Sequence, residues 1–81
     1  MSKTRVEHTP QGGKVRAWRE RVGLTVQGLA EASGYSEAAI YQFERGVNGY
    51  GHEHSEWAWQ RYRLVCAAIT HQMRTGREFS W

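Results

Sequence analysis

The segment from Leu24 to Gly46 constrains the fold of this chain more than any other stretch. It holds two short runs with apolar residues at helical spacing, and Gly34 lies between them. Glycine takes a positive φ without steric penalty, so Gly34 can end one helix in a sharp turn. Thr25 and Ser36 each precede a run, where a hydroxyl group can cap a helix N-terminus. We therefore expect two helices here, the second ending at Gly46.

The two expected helices have the spacing of a helix-turn-helix, in which a short turn joins two helices that cross closely. Ala30 has almost no side chain, so the second helix can cross close to the first. Ile40 is expected to fill the wedge between them. The outer face of the second helix, residues 36–45, could enter a DNA major groove about 12 Å wide. That face carries Glu37, Ala38, Tyr41, Gln42 and Arg45.

From Arg19 to Gly46 the sequence reads R-x3-G-L-T-x3-L-A-x3-G-Y-S-x3-I-x2-F-E-R-G. This pattern resembles the Cro/C1-type (XRE-like) helix-turn-helix family of phage and bacterial repressors. The resemblance implies an all-α, lambda-repressor-like domain of four or five helices, and a structural ion pair between Arg19 and Glu44. Two positions depart from the family pattern. Val26 stands where the family has a phosphate-contacting Gln, and Gly28 stands where the family has a helix former.

Length and composition indicate one small domain, because 81 residues are too few for two. We interpret residues 1–13 as a flexible basic arm, 14–76 as the DNA-binding domain and 77–81 as a tail. The arm is polar and contains Pro10 and two adjacent glycines. It is either an ordinary disordered terminus or a segment that follows phosphates or enters a minor groove. The first helix is predicted from Lys14 to Val22.

The last helix is predicted from Ser55 to about Thr75, with Gly76 as its C-cap. An apolar stripe should face the domain, and it includes Trp57, Ala58, Tyr62, Val65, Cys66 and Ile69. Trp59 and Leu64 fall off this stripe. Apolar residues on two faces suggest a homodimer whose interface contains Trp57, Trp59, Phe79 and Trp81. The alternative is that Phe79 and Trp81 fold back onto their own core.

The charge is uneven along the chain, although the net value is only +3. Residues 1–24 hold six Lys and Arg against two Glu, whereas residues 25–46 hold one Arg against three Glu. The basic character therefore lies around the motif, and by itself it is weak evidence for nucleic acid. With no signal peptide and no 18-residue apolar run, the protein is expected to be soluble, intracellular and free of membrane.

Base contacts can be assigned on the expected recognition helix from donor and acceptor geometry. Gln42 can form two hydrogen bonds to the edge of an adenine. The resemblance implies the same role, since family members contact bases from this position of the helix. Glu37 can accept from a cytosine amino group, and Ala38 can touch a thymine methyl group. Tyr41 can reach a base or a phosphate. The alternative is an exposed helix face that contacts nothing.

Phosphate contacts are expected around this helix rather than on it alone. The N-terminus of the preceding helix offers Thr25 with neighbouring amide groups, and Gln27 can assist. The loop Val47–His54 follows the DNA backbone or is a plain connector. The full set of candidate phosphate contacts is Thr25, Gln27, Ser36, Arg45, Asn48 and Lys14.

Catalytic and metal sites find little support in the sequence. The chain has no Asp and no phosphate-binding loop. Cys66, its only cysteine, lies on an apolar stripe, which is typical of a buried, inert thiol. His52, His54 and His71 do not have the spacing of a zinc site. We expect neither an enzyme nor a bound metal, cofactor or small-molecule substrate.

The leading hypothesis is a sequence-specific transcriptional regulator that binds double-stranded DNA. It would be a cytoplasmic, nucleoid-associated dimeric repressor or autoregulator of a bacterial cell or phage-infected host, reading an inverted-repeat operator. The alternative is a protein-interaction module on a helix-turn-helix scaffold, such as an antitoxin or a phage inhibitor. Val26 in place of Gln, and the acidic Glu37, keep that alternative open.

Overall fold

The computed structural model describes residues 9–77, which form four α-helices and no strand longer than an isolated bridge. The helices are α1 (Pro10–Arg21), α2 (Val26–Ser33), α3 (Glu37–Arg45) and α4 (Glu56–Thr75). α3 packs against α1 and α2, and α2 also packs against α4. The predicted all-α fold, with a central helix-turn-helix and a long last helix, is confirmed. Phe79, Trp81 and residues 1–8 of the predicted arm lie outside the described residues.

Local capping sets the helix boundaries. Each helix begins after a side-chain hydroxyl that accepts a hydrogen bond from the backbone N–H three residues ahead: Thr9, Thr25, Ser36 and Ser55. The last three helices end at glycines in the left-handed region, with φ of 83° at Gly34, 89° at Gly46 and 70° at Gly76. Each N-cap hydroxyl contributes about 1 kcal/mol to stability. Most of these helix boundaries can be predicted from residue type alone.

The start of α1 differs from the prediction, which ended an arm at Gly13 and began the helix at Lys14. The helix begins at Pro10, because Thr9 caps it and proline suits the first helical position. Gly12 and Gly13 therefore lie inside the first turns. Their low helix propensity suggested a loop, but the packing of Gly12 against α3 outweighs it.

Within residues 9–77, six buried apolar side chains form the core: Leu29, Ile40, Phe43, Trp59, Tyr62 and Ile69. The rings of Phe43 and Tyr62 stack with centroids 4.0 Å apart and planes 11° from parallel. Trp59 meets Phe43 edge-on at 5.2 Å. These contacts join α3 to α4, and the apolar surface that they bury stabilises the fold.

The two tryptophans near the start of α4, both predicted to lie in a dimer interface and only Trp57 on the stripe that faces the domain, differ in the structure. Trp59 is 5% exposed and packs in the core, whereas Trp57 is 76% exposed. Residues two apart on a helix point about 200° away from each other, so only one of the two can face the core. The core stripe runs through Trp59, Tyr62 and Ile69. The assignment of Trp59 to a dimer interface is therefore wrong.

Contact between α1 and α4 depends on a polar link as well as apolar packing. The indole Nε1 of Trp18 donates to Thr70 Oγ1 at 3.1 Å, and that hydroxyl donates to the Cys66 carbonyl at 2.9 Å. Trp18 is half-buried and packs against the core, as expected from its place on the apolar face of the first helix.

The apolar content of the helices is modest. Among the described residues, none of the helices combines the length and the hydropathy that a membrane span requires.

Candidate nucleic-acid interface

The outer face of α3 is open to solvent. Glu37, Ala38 and Arg45 are exposed, and Tyr41 is 54% exposed. Gln42 is half-buried rather than enclosed. The opposite face of the same helix is buried, because Ile40 is 0% and Phe43 6% exposed. The helix therefore presents hydrogen-bonding and small side chains outward while its apolar side anchors it.

Glu44 is the buried charge that ties α3 to α1. Its side chain is 4% exposed, and Arg19, whose side chain is 12% exposed, binds it through two hydrogen bonds. Arg19 Nη2 donates to Glu44 Oε1 at 3.1 Å, and Arg19 Nε donates to Oε2. The bidentate hydrogen bonding to Glu44 raises the pKa of Arg19, so the guanidinium stays charged.

The same guanidinium also reaches the turn before α2. Arg19 Nη1 donates to the Leu24 carbonyl at 3.0 Å. One side chain therefore connects the end of α1, the turn before α2 and the end of α3. The ion pair that the resemblance implies is present, and it orients α3 because Glu44 projects from that helix.

A close backbone approach holds the C-terminal end of α3 against the start of α1. The Thr9 N–H donates to the Arg45 carbonyl at 3.1 Å. A Cβ added at Gly12 would lie 2.4 Å from the Glu44 carbonyl oxygen, and one added at Gly46 would overlap the side chain of Thr9. Only glycine permits this approach at both positions. This role of Gly12 was not predicted, although the Thr-Pro cap signal before it could have revealed the start of the helix.

The loop of residues 47–54 folds back onto α3. An antiparallel bridge joins Val47 and Glu53, and the Asn48 N–H donates to the His52 carbonyl at 2.7 Å. Asn48 Oδ1 accepts from the N–H groups of Tyr50 at 2.8 Å and His52 at 3.1 Å. Asn48 is therefore a structural organiser of this turn, a role that the Asn-Gly turn signal could have indicated.

His54 is the residue through which this loop contacts the recognition helix. Its Nε2 lies 3.0 Å from the Gln42 carbonyl, and its ring stacks on Phe43 with centroids 4.2 Å apart. The ring edge also meets Trp59 at 5.3 Å. The sequence offers His54 only as a weak candidate metal ligand, whereas in the structure it packs between α3 and α4.

A family model described as a helix-turn-helix domain matches residues 12–61. That range covers more than half of the 81 residues. The chain belongs to the helix-turn-helix domain family. Neither a curated protein nor a solved structure matches it significantly. Membership in the helix-turn-helix domain family indicates a DNA-binding regulator, and the family is typically non-enzymatic.

Within this helix-turn-helix domain, the candidate phosphate contacts surround α3. Thr25, Gln27, Ser36 and Lys14 are exposed, and Asn48 is half-buried. Thr25 Oγ1 accepts from the Gly28 N–H at 2.9 Å, and Ser36 Oγ from the Ala39 N–H at 3.0 Å. Each hydroxyl thus serves as a cap while its own O–H can still donate to a ligand.

Gly28, which departs from the family pattern, has a local structural role. A Cβ at this position would lie 3.2 Å from Thr25 Oγ1, which is closer than most Cβ contacts. The glycine therefore leaves room for the capping hydroxyl at the start of α2. Its cost in helix propensity is about 0.5–1 kcal/mol relative to Ala.

The remaining reactive groups do not assemble into a second site. Cys66 is half-buried, and desolvation raises the pKa of its thiol to about 11, so it is almost wholly protonated at neutral pH. Within residues 9–77, no three His, Cys, Asp or Glu side chains are grouped so that they could hold a metal ion.

Proposed function

We propose that this helix-turn-helix protein is a dimeric transcriptional repressor or autoregulator that reads an inverted-repeat operator with α3 in the major groove. The observation that carries the proposal is the asymmetry of α3. Its outer face is exposed and polar, while its inner face and its C-terminal end are held by α1, α4 and the 47–54 loop. A helix held this firmly can keep its outer side chains in register with base edges.

Base readout is assigned to four residues of the exposed face. Gln42 would bond the N6 and N7 edge of adenine, and Glu37 would accept from the N4 amino group of cytosine. Ala38 would contact a thymine methyl group, and Tyr41 a base or the adjacent phosphate. Glu37 and Ala38 occupy the first turn of α3, which is the part of a recognition helix that enters the groove most deeply.

The loop of residues 47–54 contacts Gln42 on the side away from the exposed face. The Gln42 carbonyl contacts His54, and the Gln42 side-chain Nε2 lies beside Gly49, 3.4 Å from where a Cβ would stand. The loop therefore limits the directions that the Gln42 amide can take. A side chain with few accessible rotamers loses less entropy when it forms a bidentate contact.

Phosphate contacts would set the docking register without reading sequence. Their donors would be Arg45 at the end of α3, the hydroxyl groups and amides at the starts of α2 and α3, and the side chains beside them. The complete set is Thr25, Gln27, Ser36, Arg45, Asn48 and Lys14. For Asn48 the donor would be Nδ2, since Oδ1 already accepts two backbone hydrogen bonds.

Dimerisation would place two copies of α3 in successive major grooves about 34 Å apart. The exposed face of α4 offers apolar surface for this contact, because Trp57 is 76% and Leu64 64% exposed. Large exposed apolar side chains on one helix favour association. The same proposal includes a role in following DNA phosphates for the predicted arm, residues 1–13, of which residues 1–8 precede the described part of the chain. It also includes a cytoplasmic, nucleoid-associated location.

The test is selection of bound sequences from random duplex DNA, followed by affinity measurement with single variants. Gln42→Ala should cost about 1–3 kcal/mol on the selected site and relax the preference at one base pair. Arg45→Ala should weaken binding to all sequences alike, because a phosphate contact carries no sequence information.

Gln60→Ala is the matched control, since Gln60 is an exposed glutamine on α4, outside the recognition helix. It should leave both affinity and preference unchanged. An equal loss on every sequence for Gln42→Ala would remove Gln42 from base readout. Absence of any enriched sequence would overturn sequence-specific binding itself.

The second candidate function is a protein-interaction module, as in an antitoxin or a phage inhibitor. Two observations favour it: Glu37 is an exposed acidic residue at the start of α3, and Trp57 is an exposed aromatic residue on α4. Salt dependence separates the two functions. Binding to DNA should weaken steeply between low and moderate salt because counterions are released, whereas a protein interface responds far less.

A further inference from the structure

A groove between α1 and α4 has the size of a small-molecule site. Its volume is about 380 Å³, within the range of about 300–1,000 Å³ that is usual for sites that hold small organic molecules. α1 contributes Val15 and Trp18 to the lining, and α4 contributes Trp59, Cys66 and Ala67. These side chains are apolar or, for the thiol, only weakly polar, so the groove can bury an aromatic ring.

The floor of the groove is fixed by contacts on both walls. Trp18 Nε1 donates to Thr70 Oγ1 at 3.1 Å, and this hydrogen bond joins α1 to α4. Trp59 is buried and packs edge-on against Phe43 of α3, with ring centroids 5.2 Å apart. A ligand would therefore enter a largely preformed site, and its ring would lie beside a tryptophan that packs on α3.

Both charged side chains among the described residues that line the groove are cations. Lys14 lies on α1 and Arg63 on α4, and both residues are exposed. No acidic residue of the range 9–77 lines the groove, and neither cation takes part in an ion pair within that range. An anionic group at the mouth of the groove would therefore gain favourable charge contacts without displacing a carboxylate of residues 9–77.

The apolar floor and the two cations together select the chemistry of the ligand. A purely apolar molecule would use the floor and ignore the charges, whereas an inorganic anion would use the charges and leave the floor exposed to water. An aromatic acid uses both features at once.

We propose that the α1/α4 groove binds a small aromatic acid, whose ring packs on the floor beside Trp59 and whose anionic group lies at Lys14 and Arg63. This ligand site goes beyond the proposed function and does not depend on DNA binding.

The probe that tests the site is anilinonaphthalene sulfonate, an aromatic anion whose fluorescence rises in apolar surroundings. Added to the full chain, it should bind saturably at one probe per chain, with a dissociation constant that does not change with protein concentration. Phenylnaphthylamine, which lacks the sulfonate group, should bind more weakly because it cannot use the two cations.

Arg63→Gln tests the charge contact. It should weaken binding of the sulfonate about threefold, the effect of one exposed ion pair, and leave binding of phenylnaphthylamine unchanged. Arg61→Gln is the matched control, since Arg61 is an exposed arginine of the same helix that does not line the groove. It should leave the affinity for both probes as in the parent chain.

Ala67→Glu tests the floor of the groove. It should weaken binding of the sulfonate about tenfold or more, because the added carboxylate repels the anion and its side chain occupies the groove. Ala68→Glu is the matched control, since Ala68 is exposed and does not line the groove. Glutamate is a good helix former, so both variants should keep the fold, which circular dichroism checks.

Cys66 gives an independent measure of where the probe lies, because it lines the groove and is the only cysteine of the chain. Saturating sulfonate should slow its alkylation by iodoacetamide. Slower alkylation, together with a larger loss of affinity for Ala67→Glu than for Ala68→Glu, supports the site.

Four results would each overturn the assignment. The first is absence of saturable binding to the parent chain. The second is equal affinity of Ala67→Glu and Ala68→Glu, and the third is unchanged Cys66 reactivity with the probe bound, since either would place the probe elsewhere, such as beside the exposed Trp57. The fourth is affinity that varies with protein concentration, because the site would then lie between two copies of the chain.

Discussion

The two ends of α3 are held in different ways. At its N-terminal end, Ser36 caps the helix from within the turn, and Glu37 and Ala38 are exposed. At its C-terminal end, three separate segments converge, represented by Thr9, Arg19 and His54. The comparison shows how a small domain combines rigidity with an open binding surface. One end of the helix is fixed by tertiary contacts, so the other can remain free of them.

This difference predicts that substituting the side chains that hold the fixed end lowers stability, whereas substituting the exposed side chains of the open end alters binding. The largest effect is expected at the ion pair. Arg19→Ala strands the Glu44 carboxylate, whose side chain is only 4% exposed, and should lower the free energy of unfolding by about 3–5 kcal/mol. Urea denaturation followed by circular dichroism measures this loss.

Arg16→Ala is the control for Arg19→Ala. Arg16 lies on the same helix and pairs with Glu20, and these two side chains are 50% and 56% exposed. Exposed pairs of this type contribute about 0–1 kcal/mol. If both substitutions had the same small effect, the buried pair would not be what holds the fixed end.

The next largest effect is expected where α1 approaches α3. Gly12→Ala puts a Cβ 2.4 Å from the Glu44 carbonyl oxygen, so one backbone must shift, at a cost near the upper part of the range of about 1–3 kcal/mol. Gly13→Ala is the neighbouring control, since no atom lies within 4 Å of the added Cβ. It should stabilise the helix by about 0.5–1 kcal/mol. Thermal unfolding should therefore move in opposite directions for the two variants.

A smaller effect is expected at the loop contact. His54→Leu introduces an apolar side chain of similar size and removes the hydrogen bond to the Gln42 carbonyl and the stacking on Phe43. Together these are worth about 1–3 kcal/mol. His52→Leu changes an exposed histidine of the same loop and should stay within about 0.5 kcal/mol. Equal unfolding midpoints for the two variants would show that the loop does not brace α3.

The smallest effect on stability is expected at the open end. Glu37→Gln removes a charge from the first turn of α3 and should cost only about 0.3–1 kcal/mol, through the helix dipole. Its effect on DNA should be larger, since an amide can no longer act as an acceptor-only group for cytosine. Sequence selection with the variant measures this change. A large loss of stability without altered preference would contradict the division between the two ends.

The sequence by itself determined the helix-turn-helix. Thr25, Ser36, Gly34 and Gly46 act on the backbone within three or four residues, so their consequences can be predicted from residue type and spacing. The same holds for the buried positions Ile40 and Phe43, which repeat at the period of a helix. The Arg19–Glu44 ion pair was inferred from the resemblance to a known family, because no local rule connects residues 25 positions apart.

The tertiary structure alone decided three features. From its residue type Gly12 is predicted to break a helix, but in the structure it allows the end of α3 to approach α1 closely. Trp57 and Trp59 are equally apolar, and only the docking of α4 determines which of them is buried. From the sequence His54 is predicted to be an ordinary loop residue. In the structure the bridge between Val47 and Glu53 folds the loop back, so that His54 contacts α3. In each case the deciding contact joins segments distant in the chain, and such contacts leave no periodic signal in the sequence around them.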